Sequence, residues 1–230
     1  MIKNALMFVT GVGMSSIARK WIMGITGLFL CFFLLGHLMG NLILLSGDGA
    51  KEAFNEYAAF MGSNPAVQVL RIVTYAGILF HIFYAIALSI KNKSARKQGY
   101  AYTNTIPKNS SLASKIMLHL GAIVLIFLGL HLYSFWYQHN FIGYESLNNI
   151  DNLYDLVVFR FSDLKYSAFY VVVMFFLGYH LWHGFQSGFQ SLGINHPKYS
   201  PLIEKAGSGF AIIIPFGFAV IPIFIYLTNS

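Results

Sequence analysis

Five apolar runs, each long enough to cross a bilayer as a helix, are the feature that most limits how this chain can fold. A membrane-spanning helix needs about 20 mostly apolar residues. The runs are Trp21–Leu45, Ala66–Ile90, Lys115–Tyr137, Tyr166–Gln186 and Ala206–Leu227. Charged residues make up only 10% of the chain, against about 25% in a soluble domain. The sequence therefore predicts an all-α, polytopic membrane protein in which residues 1–230 form one five-helix domain.

The segments between the runs have the composition of loops. A Gly-Asp-Gly turn leads into a short helix predicted over Ala50–Gly62, which we expect to lie at the membrane interface. Lys91–Ser114 is polar and basic, Asn140–Lys165 is acidic with room for one short helix, and Gly193–Lys205 contains two prolines. These connections are short enough for the five spans to alternate in direction.

The positions of the basic residues predict the orientation of the spans. With the amino terminus in the cytoplasm, eleven of the fifteen Lys and Arg residues fall in inner segments, as the positive-inside rule requires. The four outer ones are Lys51, Arg71, Arg160 and Lys165. Seven of the eight acidic residues are outside, with Glu204 the exception. This distribution accounts for the net charge of +7 without nucleic acid, and membrane lipid is the expected surrounding.

Six of the eight histidines lie inside the apolar runs: His37, His81, His119, His131, His180 and His183. Ionisable side chains are costly in hydrocarbon and usually mark a functional site with a partner. Imidazole is also the commonest metal ligand in proteins. Histidines on four different spans therefore point to a metal or haem held between helices.

Depth along the spans predicts which histidines meet. With a rise of about 1.5 Å per residue, His37 lies roughly 12 Å and His131 about 9 Å below the outer ends of their spans. His81 lies about 14 Å from the inner end of its span, and His180 is at a similar depth. Two pairs at two levels on four helices are what two bis-histidine haems require. His183, three residues after His180, stays open as the alternative ligand, whereas His119 lies near the headgroups.

Three stretches of the chain resemble one known family. They are SSIARKWIMGITG from Ser15, GHLMGNL from Gly36, and YHLWHGFQ from Tyr179 with FQSLG following from Phe189. The chain resembles, over its whole length, the cytochrome b membrane-anchor subunit of succinate dehydrogenase or fumarate reductase, in its single-chain, five-helix, di-haem form. In related anchors the ligand precedes a glycine by four residues. That spacing favours His180 over His183, because Gly184 follows His180 by four.

The resemblance implies an activity as well as a fold. Two haems b would be bound by the pairs His37/His131 and His81/His180, in a four-helix haem-binding bundle. A flavoprotein subunit and an iron–sulfur subunit would dock on the cytoplasmic face of a bacterial inner membrane. Electrons would pass through the haems to or from a quinone, for which the di-haem form suggests menaquinone. Succinate oxidation in the tricarboxylic acid cycle and fumarate reduction use the same parts.

The resemblance also implies further contact residues. Haem propionates need cations near each membrane face. Arg19, Lys20 and Lys91 are candidates for the inner haem and Arg71 for the outer one, with His183 as another possible propionate contact. Glu56, with Glu52 as alternate, matches an acidic residue implicated in quinol chemistry near the outer haem, and the spacing of Ser15 and Arg19 is similar to an inner quinone site of mono-haem relatives. Some relatives carry a proton-return glutamate two residues before the fourth-helix ligand, where this chain has Gly178.

Two other classes of membrane protein use intramembrane histidines. A di-metal oxidase needs about eight clustered ligands at one depth, but this chain offers one His-x-x-His pair and otherwise single histidines. A proton or ion transporter is expected to show intramembrane carboxylates, inverted repeats or broken helices. The sequence shows none of these, so both classes are weaker alternatives to the cytochrome.

Overall fold

The computed structural model describes residues 15–94, 112–144, 150–194 and 196–229, except the side chains of 92–94 and 112–115. Within these ranges every regular element is helical. In chain order they are α1 Ser16–Asn41, a 3₁₀ turn Leu42–Leu45, α2 Ala50–Ser63, α3 Pro65–Ser94, α4 Leu112–His131, a π-helix Leu132–Ile142, α5 Leu153–Phe161, α6 Leu164–Ser191 and α7 Ser200–Asn229. Most of the predicted basic connection Lys91–Ser114, and the amino-terminal segment with Lys3, lie outside the described residues.

The described part of the chain has five helices long and apolar enough to cross a membrane, which confirms the predicted number of spans. They are α1, α3, α4 with its π-helical continuation, α6 and α7. Most extend past the apolar runs; α7, for example, begins at Ser200 rather than near Ala206. Helical hydrogen bonding pairs the backbone groups in lipid and at its interface alike, so the helix continues until a capping residue stops it. The expected short helices are present as α2 and α5.

Polar side chains mark where several helices begin. Ser15 Oγ accepts a hydrogen bond from Ala18 N, 3.1 Å away, at the start of α1. Asn64 ends α2 and begins α3, because its Oδ1 accepts from Ala66 N at 2.9 Å while Pro65 occupies the first helical position. Proline is favoured there, since it has no N–H to leave unpaired. Asn152 and Asp163 cap α5 and α6 in the same way.

Four helices form an open ring. α1 packs against α3 and α6, α6 also packs against α4, and α3 and α4 touch only sparsely. The diagonally opposite helices, α1 with α4 and α3 with α6, make almost no close backbone contact. The fifth span, α7, packs along α6 and touches α1. The ring is therefore held together on the α6 side and leaves room across its diagonals.

Close approach of α1 and α6 depends on glycine. A Cβ added at Gly24 would lie 3.0 Å from the carbonyl oxygen of Gly188 and 3.2 Å from Ser191 Cβ. A Cβ added at Gly188 would lie 2.9 Å from the Leu28 side chain. Small residues at such crossings are the usual means of helix association in membranes. These contacts fix the distance between two of the four ring helices.

Two short helices cover one end of the ring. We call this the capped end: α1 and α4 finish there, and α3 and α6 begin there. Lys51 of α2 forms an ion pair with Asp155 of α5, with Nζ 2.8 Å from Oδ1. Tyr154 N donates to Asn55 Oδ1 at 3.2 Å. These bonds join the loop after the first span to the loop after the third.

The Gly24 contact gives a stability prediction. Gly24→Ala should destabilise the protein by about 1–3 kcal/mol, because the nearest obstacle is backbone that cannot rotate away. The matched control is Gly209→Ala, since a Cβ at Gly209 meets nothing within 4 Å. Thermal unfolding of the detergent-purified variants measures both. A Gly24→Ala variant as stable as the Gly209→Ala variant would contradict the tight crossing.

The ion pair at the capped end gives a pH prediction. The hydrogen bond to Asp155 holds the pKa of Lys51 above its ordinary value of 10.5. A raised folded-state pKa means that the contribution of the pair is complete below the ordinary value and is lost as pH rises through the folded-state value. A spin label at the exposed position Ala59 of α2 should therefore gain mobility only above about pH 10.5. Lys51→Gln should abolish this step; the same step in that variant would assign it to another group.

Candidate functional site

The structure brings four intramembrane histidines together in two pairs. The ring centres of His37 on α1 and His131 on α4 are 5.8 Å apart, with planes at 83°. The ring centres of His81 on α3 and His180 on α6 are 6.3 Å apart, with planes at 72°. Each pair joins helices that are diagonally opposite in the ring and otherwise make almost no close backbone contact. The imidazoles therefore meet in the interior of the bundle.

The spacing within each pair suits two imidazoles on one metal ion. A metal–imidazole bond is about 2 Å long, and the ring centre lies about 1 Å beyond the nitrogen, so two trans ligands place their ring centres about 6 Å apart. The observed values are 5.8 and 6.3 Å. Crossed ring planes are compatible with this, because each imidazole turns freely about its own bond to the metal.

The two levels are separated by the same number of residues on three helices. A Cβ at Gly27 would lie 3.2 Å from His81, and His37 follows Gly27 by ten residues along α1. Likewise Gly121 of α4 lies against His180, and His131 follows Gly121 by ten residues along the same helix. Tyr170 contacts His131 from α6, ten residues before His180. Ten residues of α-helix correspond to about 15 Å, which is the distance between the two pairs along the bundle.

Two of the histidines have hydroxyl partners at Nδ1. His131 Nδ1 lies 3.3 Å from Tyr170 Oη, and His81 Nδ1 lies 3.4 Å from Thr26 Oγ1. The Thr26 hydroxyl donates to the carbonyl oxygen of Ile22 at 2.7 Å, so it is free to accept from an Nδ1–H. An imidazole whose Nδ1 carries the hydrogen has Nε2 available for a metal. Both contacts therefore favour the ligating tautomer.

The other two histidines have different surroundings at Nδ1. His180 Nδ1 is buried without a hydrogen-bond partner in the described structure. His37 Nδ1 faces Asn41 Nδ2 at 3.3 Å, and the same amide nitrogen donates to the His37 carbonyl oxygen at 2.7 Å. Ligation of His37 through Nε2 places a hydrogen on Nδ1, so the Asn41 amide has to turn its oxygen toward the ring. Nε2 of all four histidines makes no hydrogen bond within the described residues.

Aromatic rings surround the pair nearer the capped end. We call this pair, His37 with His131, the outer pair, and His81 with His180 the inner pair. Phe33 stacks on His37 with ring centres 5.5 Å apart, and Phe127 stacks on His131 at 5.7 Å. Phe218 of α7 contacts His37 at 5.5 Å, and Phe135 contacts His131 at 5.4 Å. These rings keep water from the imidazoles.

Glycines give both pairs space. Gly27 and Gly121 let the inner imidazoles lie directly against the backbones of α1 and α4. Beside the outer pair, a Cβ at Gly36 or Gly129 would meet nothing within 4 Å. By contrast, a Cβ added at Gly178 would lie 3.1 Å from the Ala211 carbonyl oxygen of α7. Open space and close backbone approach are what a flat macrocycle needs from glycine.

The remaining histidines occupy other positions. His183 is half-buried, and within the described residues His81 has a ring contact with His180 and none with His183. His119 and His196 are exposed. His139, also exposed, lies near the end of the π-helix and bonds to the hydroxyl of Tyr144 at 2.5 Å. Burial, with the charge of Asp155 adding to it, raises the pKa of Tyr144 to about 12, so this phenol stays protonated at neutral pH.

The predicted cations divide into buried and exposed groups. Arg19 is 8% exposed and engaged with neighbouring groups, and Lys91 donates to Ser16 Oγ at 2.6 Å. Lys20 and Arg71 are exposed. These placements bring Arg19 and Lys91 to the end opposite the cap, as expected for the inner pair, but leave Arg71 on the surface of α3.

Arg160 is a candidate site residue that the sequence does not single out. It lies on α5 at the capped end, with its Nε buried and without a hydrogen-bond partner. Phe161, the next residue along α5, contacts the ring of Tyr170 at 5.0 Å, and Tyr170 in turn contacts His131. Its described partner is the ring of Phe159, 5.8 Å from Cζ, and no carboxylate in the described residues pairs with it. The sequence does not show that the Arg160 side chain has a buried nitrogen. There the residue counts only as one of the four outer basic residues.

The predicted quinone residues lie apart from the histidine pairs. Glu56 and Glu52 are exposed on α2 at the capped end, and the Ser15 hydroxyl caps α1. A cavity of about 460 Å³ opens at the opposite end between α1, α3 and α6. Its walls include Lys20, Met23, Ser187 and Gln190, and Ser15 is not among them.

The described residues contain no group of three or more His, Cys, Asp or Glu side chains placed to hold a metal ion together. Paired histidines are therefore the arrangement that the described bundle offers, rather than the many-ligand cluster that a di-metal oxidase needs. The residues fit a bis-histidine macrocycle in ring spacing and in Nε2 atoms that make no hydrogen bond within the described residues. No family model, curated protein or solved structure matches the chain.

Proposed function

We propose that this protein is a di-haem b membrane subunit that passes electrons between a peripheral succinate dehydrogenase or fumarate reductase and a membrane quinone. The observation that carries the proposal is the pairing of imidazoles across both diagonals of the ring, about 6 Å apart in each pair. An apolar bundle has no other evident reason to hold four partly buried histidines at two depths.

The histidines would hold the haems in this proposal. His37 and His131 would bind the outer haem, and His81 and His180 the inner one. A haem held by two histidines would supply one-electron transfer rather than oxygen chemistry. The phenylalanines around the outer pair exclude water. Two sites about 15 Å apart along the bundle give electrons a route between its ends.

Cations at the two ends neutralise the haem carboxylates. At the capped end Arg160 is the better candidate than the predicted Arg71, because its Nε is buried without a hydrogen-bond partner in the described structure, whereas Arg71 is exposed. At the opposite end Arg19 and Lys91 serve the inner haem. Burial strengthens such charge-assisted bonds relative to those on an exposed surface.

The basic end of the bundle is where the partner subunits dock in this proposal. The end opposite the cap carries Arg19, Lys20, Lys91, Lys198 and Lys205, and it faces the cytoplasm of a bacterial inner membrane. The iron–sulfur and flavoprotein subunits dock there. Quinone, in this proposal menaquinone, binds beside Glu56 at the capped end or in the cavity lined by Lys20 and Gln190.

Loss of single histidines tests the ligand assignment. His37→Ala and His81→Ala should each remove one of two haems, because a macrocycle with one axial histidine is held weakly in the bundle. His183→Ala and His119→Ala are the matched controls, and both should keep two haems. Haem content and the reduced-minus-oxidised absorption spectrum of the purified variants measure this. A colourless wild-type protein would overturn the proposed function, and loss of haem from His183→Ala would reassign the inner ligand.

The choice between the two outer arginines is tested by a second pair of variants. Arg160→Gln should weaken retention of the outer haem by about tenfold, the lower end of the effect of losing an outer-shell partner. Arg71→Gln removes an exposed charge and should leave retention unchanged. Transfer of haem to apomyoglobin, followed by absorbance, measures retention. Equal retention in the two variants would remove Arg160 from the site.

A further inference from the structure

A chain of two tyrosine hydroxyls extends from one outer histidine toward the surface of the capped end. Tyr170 Oη lies 3.3 Å from His131 Nδ1 and 3.0 Å from Tyr166 Oη. Both tyrosines are on α6, four residues apart, so their side chains share one face of the helix. Tyr170 is 6% exposed. The chain is therefore formed inside the bundle and continues to the beginning of α6.

Packing fixes the ring of Tyr170. Its centre lies 4.9 Å from Phe127 and 5.0 Å from Phe161, both in edge-on contact. The Tyr166 ring is also 4.9 Å away. With the ring held from α4, α5 and α6, the hydroxyl has one position from which to meet His131. Such support is typical of groups that orient a ligand.

Within the described residues, the other three paired histidines lack such a chain. His81 has a single hydroxyl, Thr26, at the longer distance of 3.4 Å, and that hydroxyl donates to its own helix backbone. His180 Nδ1 has no hydrogen-bond partner in the described structure, and His37 Nδ1 faces an amide. The difference separates the outer level from the inner one.

We propose that Tyr170 and Tyr166 are positioning residues that set the donor strength of His131 as an iron ligand, and through it the reduction potential of the outer haem. This inference rests on the proposed function. The Tyr170 oxygen accepts from His131 Nδ1–H, and the Tyr170 hydrogen goes to Tyr166. A hydroxyl that donates onward is the stronger acceptor. The imidazole then becomes more basic, which favours ferric over ferrous iron.

Removing the hydroxyls one at a time tests the inference. In Tyr170→Phe the outer haem should be reduced more easily, by up to about tenfold in the ratio of reduced to oxidised haem, equivalent to 59 mV for one electron. Tyr166→Phe should shift the outer haem in the same direction by less, since it removes only the onward acceptor. The inner haem should not move in either variant. Spectroelectrochemical titration of the purified protein, with the two haems identified from His37→Ala and His81→Ala, measures these potentials.

Thr26→Val provides the matched control, because it removes the single hydroxyl of the inner level and should move only the inner haem. Unchanged outer potentials in both tyrosine variants, with both haems retained, would overturn the inference while leaving the proposed function intact. If Tyr170→Phe lost the outer haem, Tyr166→Phe would decide: a positive shift supports the inference, and no shift overturns it. A wild-type protein without haem would instead show failure of the proposed function itself.

Discussion

The cost of placing imidazoles in an apolar bundle determines how the rest of this molecule is arranged. Four histidines are withdrawn from water by five spans, and they meet across the diagonals of the ring rather than along its sides. Pairing at about 6 Å needs helices that are close enough for imidazoles to meet yet too far apart for their backbones to touch. The tight α1–α6 crossing at Gly24 and Gly188, and the sparse α3–α4 contact, provide this combination.

The two levels of the bundle differ in chemistry although their geometry is similar. The outer pair is enclosed by phenylalanines and linked to two tyrosine hydroxyls. The inner pair lies against the glycines at 27 and 121, and one of its Nδ1 atoms has no hydrogen-bond partner in the described structure. Two sites with the same ligands but different surroundings are expected to differ in potential, since charge, hydrogen bonding and burial tune an iron centre.

Much of the fold was predictable because membrane spans are determined by length and hydropathy. The five apolar runs predict the number of long helices, and the rise per residue predicts the ring contacts of His37 with His131 and of His81 with His180. What length cannot give is the rotation of a helix about its axis. Arg71 and Arg160 are both outer arginines by sequence, but only the packed structure shows which has a buried nitrogen. Gly27 and Gly121 were missed for the same reason, as they lie on different helices from the histidines they touch. The π-helix after His131 leaves no mark in the hydrophobic pattern.

The proposed function requires each diagonal pair of imidazoles to bind one iron atom between its rings. Anomalous X-ray scattering at the iron edge from crystals of the purified protein tests this directly. The account predicts two iron peaks per chain about 15 Å apart, one between His37 and His131 and one between His81 and His180. Absence of iron at both positions, or iron bound at other side chains, would contradict it.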